Sequence, residues 1–372
     1  MRPILTVTFI LVAVGIIMIY STSAISADDK FGDQYYFLKR QLMWACFGIV
    51  AMIIASFIPM QSLRRVAKPL LILIWMLLIL VFVPHIGAKV GGARRWLKLG
   101  GWCFQPAEMA KLVLIIYSAH FLSRKHGELA DFRHGILPLI IVLGITMILI
   151  LLQPDFGTAL LLGTVILIIM FIAGVSVKHL LGLMSLATPA IVLMVFRVSY
   201  RWQRILVFIN PWKDPTDTGY QITQSFIALG SGGFTGRGWG QSIQKLYYLP
   251  QSYTDFIFSI IGEEIGFIGA SAILLLFVAF VYYGMKISRN APDLFTSLTG
   301  MGITVMIGLQ GIVHMGVVTG CLPTKGLPLP FISFGGSSLL TALTGAGLLI
   351  NIARKGRFQS TRMPRDQREK VG

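Results

Sequence analysis

The stretch YTDFIFSIIGEEIG, residues 253–266, opens a run that is otherwise among the most apolar in the chain, yet it carries Asp255, Glu263 and Glu264. How those three acids are read depends on what surrounds them. The 372-residue chain is 55% hydrophobic and only 13% charged, against roughly 25% charged residues in an average soluble domain. It reads as a polytopic membrane protein, in which an ionisable group inside a span is expensive and by default marks function.

A span needs about 20 mostly apolar residues. Ten windows qualify, at roughly 4–24, 41–59, 69–86, 106–122, 136–153, 157–174, 178–197, 256–285, 296–318 and 337–352. The expectation is an all-α integral membrane protein with about ten transmembrane helices in one domain over residues 1–353, followed by a basic, disordered tail over 354–372. The first window ends near the small residues Ala24, Ser26 and Ala27. Because nine more follow, it reads as an uncleaved anchor rather than a signal peptide.

A net charge of +17 would suggest nucleic acid in a soluble chain. Here short basic connectors such as Arg64-Arg65-Lys68 and the start of the tail, Arg354 to Arg357, follow the positive-inside bias. Both termini are then cytoplasmic, and no nucleic acid is implied. The connector 198–255, before the eighth span, becomes a long extracytoplasmic loop. Its aromatic residues and glycine turns argue for order, and loops of that length are usually functional or disordered. Cys46, Cys103 and Cys321 form neither a disulfide framework nor a metal motif. Cys103 and Cys321 both fall in outer loops, which leaves open whether they pair.

The outer loops carry the chemistry. Lys89, Arg94, Arg95 and Lys98 lie on one, Arg201, Arg204, Lys213, Arg237 and Lys245 on another, and Lys325 on a third. Singly, such cations touch headgroups; together they suit an anion such as phosphate, for which Arg supplies a planar fork and Lys a point charge. GSGGFTGRGWG, at 230–240, fits neither phosphate-loop template and reads as flexible turns. In QPAEMAK, Glu108 and Lys111 are three apart and share a helical face. LQPDFG adds Asp155 beside helix-interrupting Pro154 and Gly157. These three read either as cavity-lining groups or as a structural ion pair. Asp255 sits where the long loop enters the eighth span, so it stays hydrated while facing a pocket; Glu263 and Glu264 lie about two turns deeper. Zinc hydrolysis and serine acyl transfer have no motif here.

Taken in order, GARRW (92–96), QPAEMAK (105–111), QPDFGT (153–158), GYQITQS (219–225), QKLYYLPQSYTDFIFSIIGEEIG (244–266) and LPTKGLPLPFISFGGSS (322–338) resemble the SEDS (shape, elongation, division, sporulation) proteins. These are bacterial membrane enzymes that polymerise peptidoglycan glycan strands from lipid II. NPWKDP at 210–215 and the Lys of PTKGLPLP resemble the division branch, FtsW-like, rather than the RodA-like elongation branch. Two positions depart from the pattern: Ser252-Tyr253 stands where an acidic residue often precedes Thr-Asp, and His314 where Asn is usual.

The resemblance implies a catalytic carboxylate at Asp255. It also implies substrate contacts at Trp96, Arg94 and Arg95, with Glu108, Lys111 and Asp155 lining a central cavity. The loop cations Arg201, Arg204 and Lys325 are expected to hold the substrate's diphosphate. No organic cofactor is implied; a divalent cation, Mg²⁺ or Mn²⁺, stays open, with Glu263 and Glu264 as candidate oxygen ligands. The implied partners are lipid II, a class B penicillin-binding protein transpeptidase and other division-complex membrane proteins, at the septum of the cytoplasmic membrane. A lipid II flippase and a noncatalytic scaffold are the competing readings.

Overall fold

A computed structural model describes residues 1–90, 93–100, 102–250 and 252–362. The chain opens with three helices, α1 (Arg2–Phe31), α2 (Tyr36–Phe57) and α3 (Met60–Leu80). A three-stranded antiparallel sheet follows, β1 (Gly87–Val90), β2 (Ala93–Leu99) and β3 (Trp102–Phe104), in the order β1-β2-β3. Next come α4 (Pro106–Arg124), α5 (Leu137–Leu152), α6 (Phe156–Ile172) and α7 (Val177–Phe196). The long connector holds α8 (Ser199–Ile209) and α9 (Tyr220–Gly232), and the chain closes with α10 (Ile257–Arg289), α11 (Leu294–Val318) and α12 (Gly336–Arg362).

Each of the ten apolar windows overlaps a helix, but seven, not ten, of the described helices are long and apolar enough to cross a membrane by length and composition. The shortfall has a chemical cause in each case. Charges at Arg64, Arg65 and Lys68 load the first half of α3, while Glu108, Lys111 and Arg124 lower the hydropathy of α4. α6 spans only 17 residues. The all-α expectation holds for the bundle, to which β1, β2 and β3 add one small sheet between α3 and α4. Most of the tail 354–372 lies outside the described residues.

Burial grades the helices. In α12 and α11, 83% and 67% of the apolar window is buried within the protein, against 6% in α7, where Leu180 alone is buried. α11 and α12 are therefore the axis of the bundle, and α7 stands at its rim. Among its described residues the 198–255 connector forms α8, α9 and a series of turns. Cys46, Cys103 and Cys321 are all free and exposed.

α10 breaks at Gly266, whose φ of 71° and ψ of −170° leave the helical region. The glycine stretch after α9 occupies the break. Arg237 and Gly238 donate backbone N–H groups to the carbonyls of Glu263 and Glu264, and Phe267 and Ile268 donate to Gly233 and Phe234. A Cβ on Gly232 would come within 1.9 Å of the Gly262 carbonyl oxygen. A Cβ on Gly236 would likewise meet the Glu264 carbonyl oxygen at 2.2 Å, so these two glycines serve close backbone approach.

Candidate active site

The sheet, the α5–α6 turn, α8 and the segments before α10 and after α11 converge on a cavity of about 760 Å³. Its wall includes Arg95, Asp155, Arg201, Arg204, Asp255 and Lys325. These six lie on five separate stretches of sequence and were all singled out there.

Alternation along β2 decides which loop residues reach the cavity. Ala93 and Arg95 line it. Arg94, exposed, points elsewhere and donates to the Phe82 carbonyl at 3.5 Å. Trp96 pairs with Ala88 across the sheet and is half-buried, off the cavity wall. Arg95 is tied down: its Nε donates to the Gln153 carbonyl at 3.0 Å and a terminal nitrogen donates to that of Pro154. That caps the C-terminal end of α5 with a cation, which suits the helix dipole.

Asp155 caps the next helix. It accepts from the Thr158 N–H at 3.1 Å, the Thr158 hydroxyl at 2.9 Å and Gln105 Nε2 at 3.3 Å. On α8, Arg201 and Arg204 are three residues apart and share a face. Arg201 lies 5.0 Å from the Phe156 ring centre, and Lys325 lies 5.6 Å from the same ring. Arg204 donates to the Thr324 carbonyl at 3.4 Å. Four cations thus share one cavity with two acids, so it favours an anion.

Neither acid has a cation within 4.0 Å of its carboxylate among the described residues. They differ in hydrogen bonding: Asp155 is held by Thr158 and Gln105, whereas among the described residues no donor is paired with the carboxylate of Asp255. Burial pushes its pKa up to about 6; Arg204 and Arg95 pull against that rise and Asp155 adds to it. Burial likewise lowers the Lys325 ammonium to about 8, opposed by Asp155 and assisted by Arg204. Both groups therefore change charge within reach of neutral pH, which suits Asp255 to acid–base work and leaves Lys325 mostly charged below about 8.

Gly326 completes the geometry. A Cβ there would lie 2.7 Å from Asp255 Oδ2 and 3.3 Å from its Cγ. Only a residue without a side chain leaves the carboxylate where it is. Gly157 plays a similar part opposite, where a Cβ would meet Lys325 Cε at 3.3 Å.

Glu108 and Lys111 lie off the cavity wall. Both are buried, and Lys111 Nζ sits 2.8 Å from Glu108 Oε2. Lys111 also donates to Gln310 Oε1 at 2.7 Å, and Gln310 Nε2 donates to the Pro328 carbonyl at 2.8 Å. One turn on, His314 Nδ1 meets the Leu327 carbonyl at 2.7 Å. These groups form a brace from α4 through α11 to the segment that presents Lys325 and Gly326. Sequence reasoning singled out the Glu–Lys pair but missed Gln310 and Gly326, whose spacing carries no charge signal.

The opening glutamates also prove to be braces. Glu263 accepts from the Ser242 hydroxyl, from the Ile243 N–H at 3.0 Å and from the Gln244 N–H at 3.3 Å, with Arg237 at 3.8 Å. Glu264 accepts from Ser21 at 2.6 Å and from Lys245 Nζ at 2.9 Å. They pin the 233–249 segment and α1 to α10. Neither belongs to the cavity wall, and no group of three or more His, Cys, Asp or Glu side chains suited to a metal occurs among the described residues.

Residues 1–358 match the cell cycle protein family of FtsW, RodA and SpoVE. The chain belongs to that family. It is 43% identical over 354 residues to a probable peptidoglycan glycosyltransferase FtsW of Geobacter sp. strain M18, covering 95% of this chain and 96% of that one. A chain of a solved peptidoglycan synthase complex that coordinates polymerization and crosslinking superposes with a TM-score of 0.79 at 28% identity, covering 96% of this chain and 98% of its own. The rod shape determining protein RodA of Thermus thermophilus gives 0.70 at 27% identity, over 95% and 96%. Identity is thus higher to FtsW-named glycosyltransferases than to RodA-named structures, as the motifs suggested. A multi-pass bacterial membrane protein of a peptidoglycan glycosyltransferase family is the result.

Proposed function

We propose that the chain polymerises glycan strands by joining lipid II disaccharides through β-1,4 bonds, releasing undecaprenyl diphosphate, during cell division. The observation that carries this reading is the single cavity in which Asp255, free of ion pairs among the described residues, faces four cations.

In the proposed reaction the 4-hydroxyl oxygen of the acceptor sugar attacks the anomeric carbon of the donor. A new C–O bond forms as the bond to the diphosphate oxygen breaks, inverting that carbon. Asp255 takes the hydroxyl proton, and the electron pair leaves on the diphosphate. A glycosidase needs a second carboxyl to protonate its leaving group; a diphosphate departs as an anion, which Arg95, Arg201, Arg204 and Lys325 would stabilise in place. With a pKa of about 6, Asp255 is mostly ionised at neutral pH yet basic enough to accept a proton, which is the compromise a general base requires.

Among the described residues the cavity offers one uncommitted carboxylate for a divalent cation, that of Asp255, since Asp155 already accepts from Thr158 and Gln105. Asp255 therefore fits Mg²⁺ or Mn²⁺ only as a single protein ligand, with water and diphosphate oxygens completing the shell. Bound there, such an ion would neutralise charge on the departing diphosphate. Arg94, Trp96, Glu108 and Lys111 act, on this reading, by holding the loops that carry the contacting residues. The reading also places the protein at the septum with both termini cytoplasmic. Its partners are a class B penicillin-binding protein transpeptidase and other division-complex membrane proteins.

Purified protein with its cognate transpeptidase, supplied with lipid II, tests this. Asp255→Ala should abolish glycan synthesis while leaving complex formation intact. A flippase would instead lose most at Lys111 or Glu108 and tolerate Asp255→Ala in a lipid II translocation assay. A scaffold would support growth with every one of these substitutions.

A further inference from the structure

At the opposite end of α11 from the Asp255 cavity lies a second cavity, of about 480 Å³. Thr296 lines this cavity and Val313 the other, so along α11 their walls stand about 26 Å apart at 1.5 Å per residue, of the order of the roughly 30 Å hydrocarbon core of a bilayer. Arg64 from the start of α3, Lys355 from α12, and Asp293 and Thr296 from the start of α11 line it, over a floor that includes Met60 and Phe295.

Asp293 is already committed. Its carboxylate accepts from the Thr296 N–H at 3.1 Å and the Thr296 hydroxyl at 2.6 Å, capping α11. The cations are not. Among the described residues neither Arg64 nor Lys355 has a carboxylate within 4.0 Å. Arg64 lies 5.9 Å from the Phe295 ring centre, which holds its guanidinium over the floor. Arg65 and Lys68 lie exposed on the same helix and add positive potential. The neighbouring Arg354 is otherwise engaged, donating to the Ser56 carbonyl at 3.3 Å and lying over the Phe57 ring.

We propose that this cavity binds a phosphate-bearing anion, favouring the headgroup of an anionic phospholipid in the leaflet opposite the Asp255 cavity. Two unpaired cations at the rim match one phosphodiester. The apolar floor sits at helix ends, the level at which a lipid phosphate lies, and basic pockets between spans on that side are known headgroup sites. The proposal is independent of the role given to Asp255.

Native mass spectrometry of the full chain, stripped of lipid and titrated with phosphatidylglycerol, phosphatidylcholine or inorganic phosphate, tests it. Phosphatidylglycerol should be retained over phosphatidylcholine, and Arg64→Gln with Lys355→Gln should weaken that retention about tenfold or more, each cation near a membrane surface being worth roughly one kcal/mol. Arg64→Lys with Lys355→Arg, which keeps both charges, should preserve it and guards against misfolding of the first variant. If inorganic phosphate competes phosphatidylglycerol away at equal concentration, the site takes a soluble phosphate compound instead of a lipid, and the anion assignment stands. Equal phosphatidylglycerol retention in the wild type and the Gln variant overturns it.

Discussion

Gly326→Ala is the substitution whose effect can be worked most directly from the geometry. The backbone at 326 has no positive φ, so alanine meets no intrinsic strain there. Its methyl would lie 2.7 Å from Asp255 Oδ2, whereas ordinary van der Waals contact begins near 3.4 Å. The carboxylate must therefore retreat by roughly 0.7 Å or rotate, and misplacement on the order of 1 Å costs about 10²-fold in rate. The expected result is a kcat for glycan synthesis reduced by about ten- to a hundredfold, with KM and thermal stability nearly unchanged because the displaced group is the end of a side chain. Polymerisation of purified lipid II, with rate and strand length read on gels alongside a melting curve, measures all three. Full activity in a well-folded Gly326→Ala protein would refute the claim that the carboxylate's position in this cavity governs the reaction.

Three further outcomes follow from the same geometry. The rate should rise as pH climbs through about 6, where Asp255 loses its proton, and fall above about 8, where Lys325 loses its charge; because Arg204 pulls the Asp255 value down, Arg204→Gln should move the acidic limb to higher pH, which a pH–rate profile of polymerisation would show. Lys111→Met strands the buried Glu108 carboxylate, a loss of about 3–5 kcal/mol when one partner of a buried pair is removed; adding Glu108→Gln should recover much of it in denaturation experiments. Gly266→Ala forces a side chain into φ 71° and against the Gly236 nitrogen at 2.3 Å, so unfolding should become easier by at least about 1–3 kcal/mol.

The sequence announced a membrane bundle because hydrophobic runs are a local property. It also marked the six ionisable residues of the cavity, because charge in an apolar chain is conspicuous. It could not say which charges face the reacting site. Asp255 and Glu264 stand nine residues apart in one apolar run, yet one lines the cavity and the other is consumed by Ser21 and Lys245 from distant parts of the chain. That difference lives in tertiary contacts. Periodicity was equally mute about Arg94 and Arg95, which take opposite faces of a short strand that an all-α reading did not contain. Gly326 and Gln310 were missed for a related reason: a missing side chain and a neutral amide leave no mark on hydropathy or charge. The count of spans was overdrawn because an apolar window says nothing of the helix around it: α3 begins with Arg64, Arg65 and Lys68 ahead of its window, α4 carries Glu108 and Lys111 into the protein interior, and α6 ends after 17 residues.

The central claim is that the Asp255 carboxylate accepts the proton of the attacking hydroxyl. The rate of glycosidic bond formation at saturating lipid II, compared between the wild type and Asp255→Asn in the purified complex, tests it most directly. Asparagine keeps the shape and removes the base, so the account predicts a rate lower by about 10²- to 10⁴-fold, with lipid II still bound. Strands built at the wild-type rate by the Asn variant would contradict it.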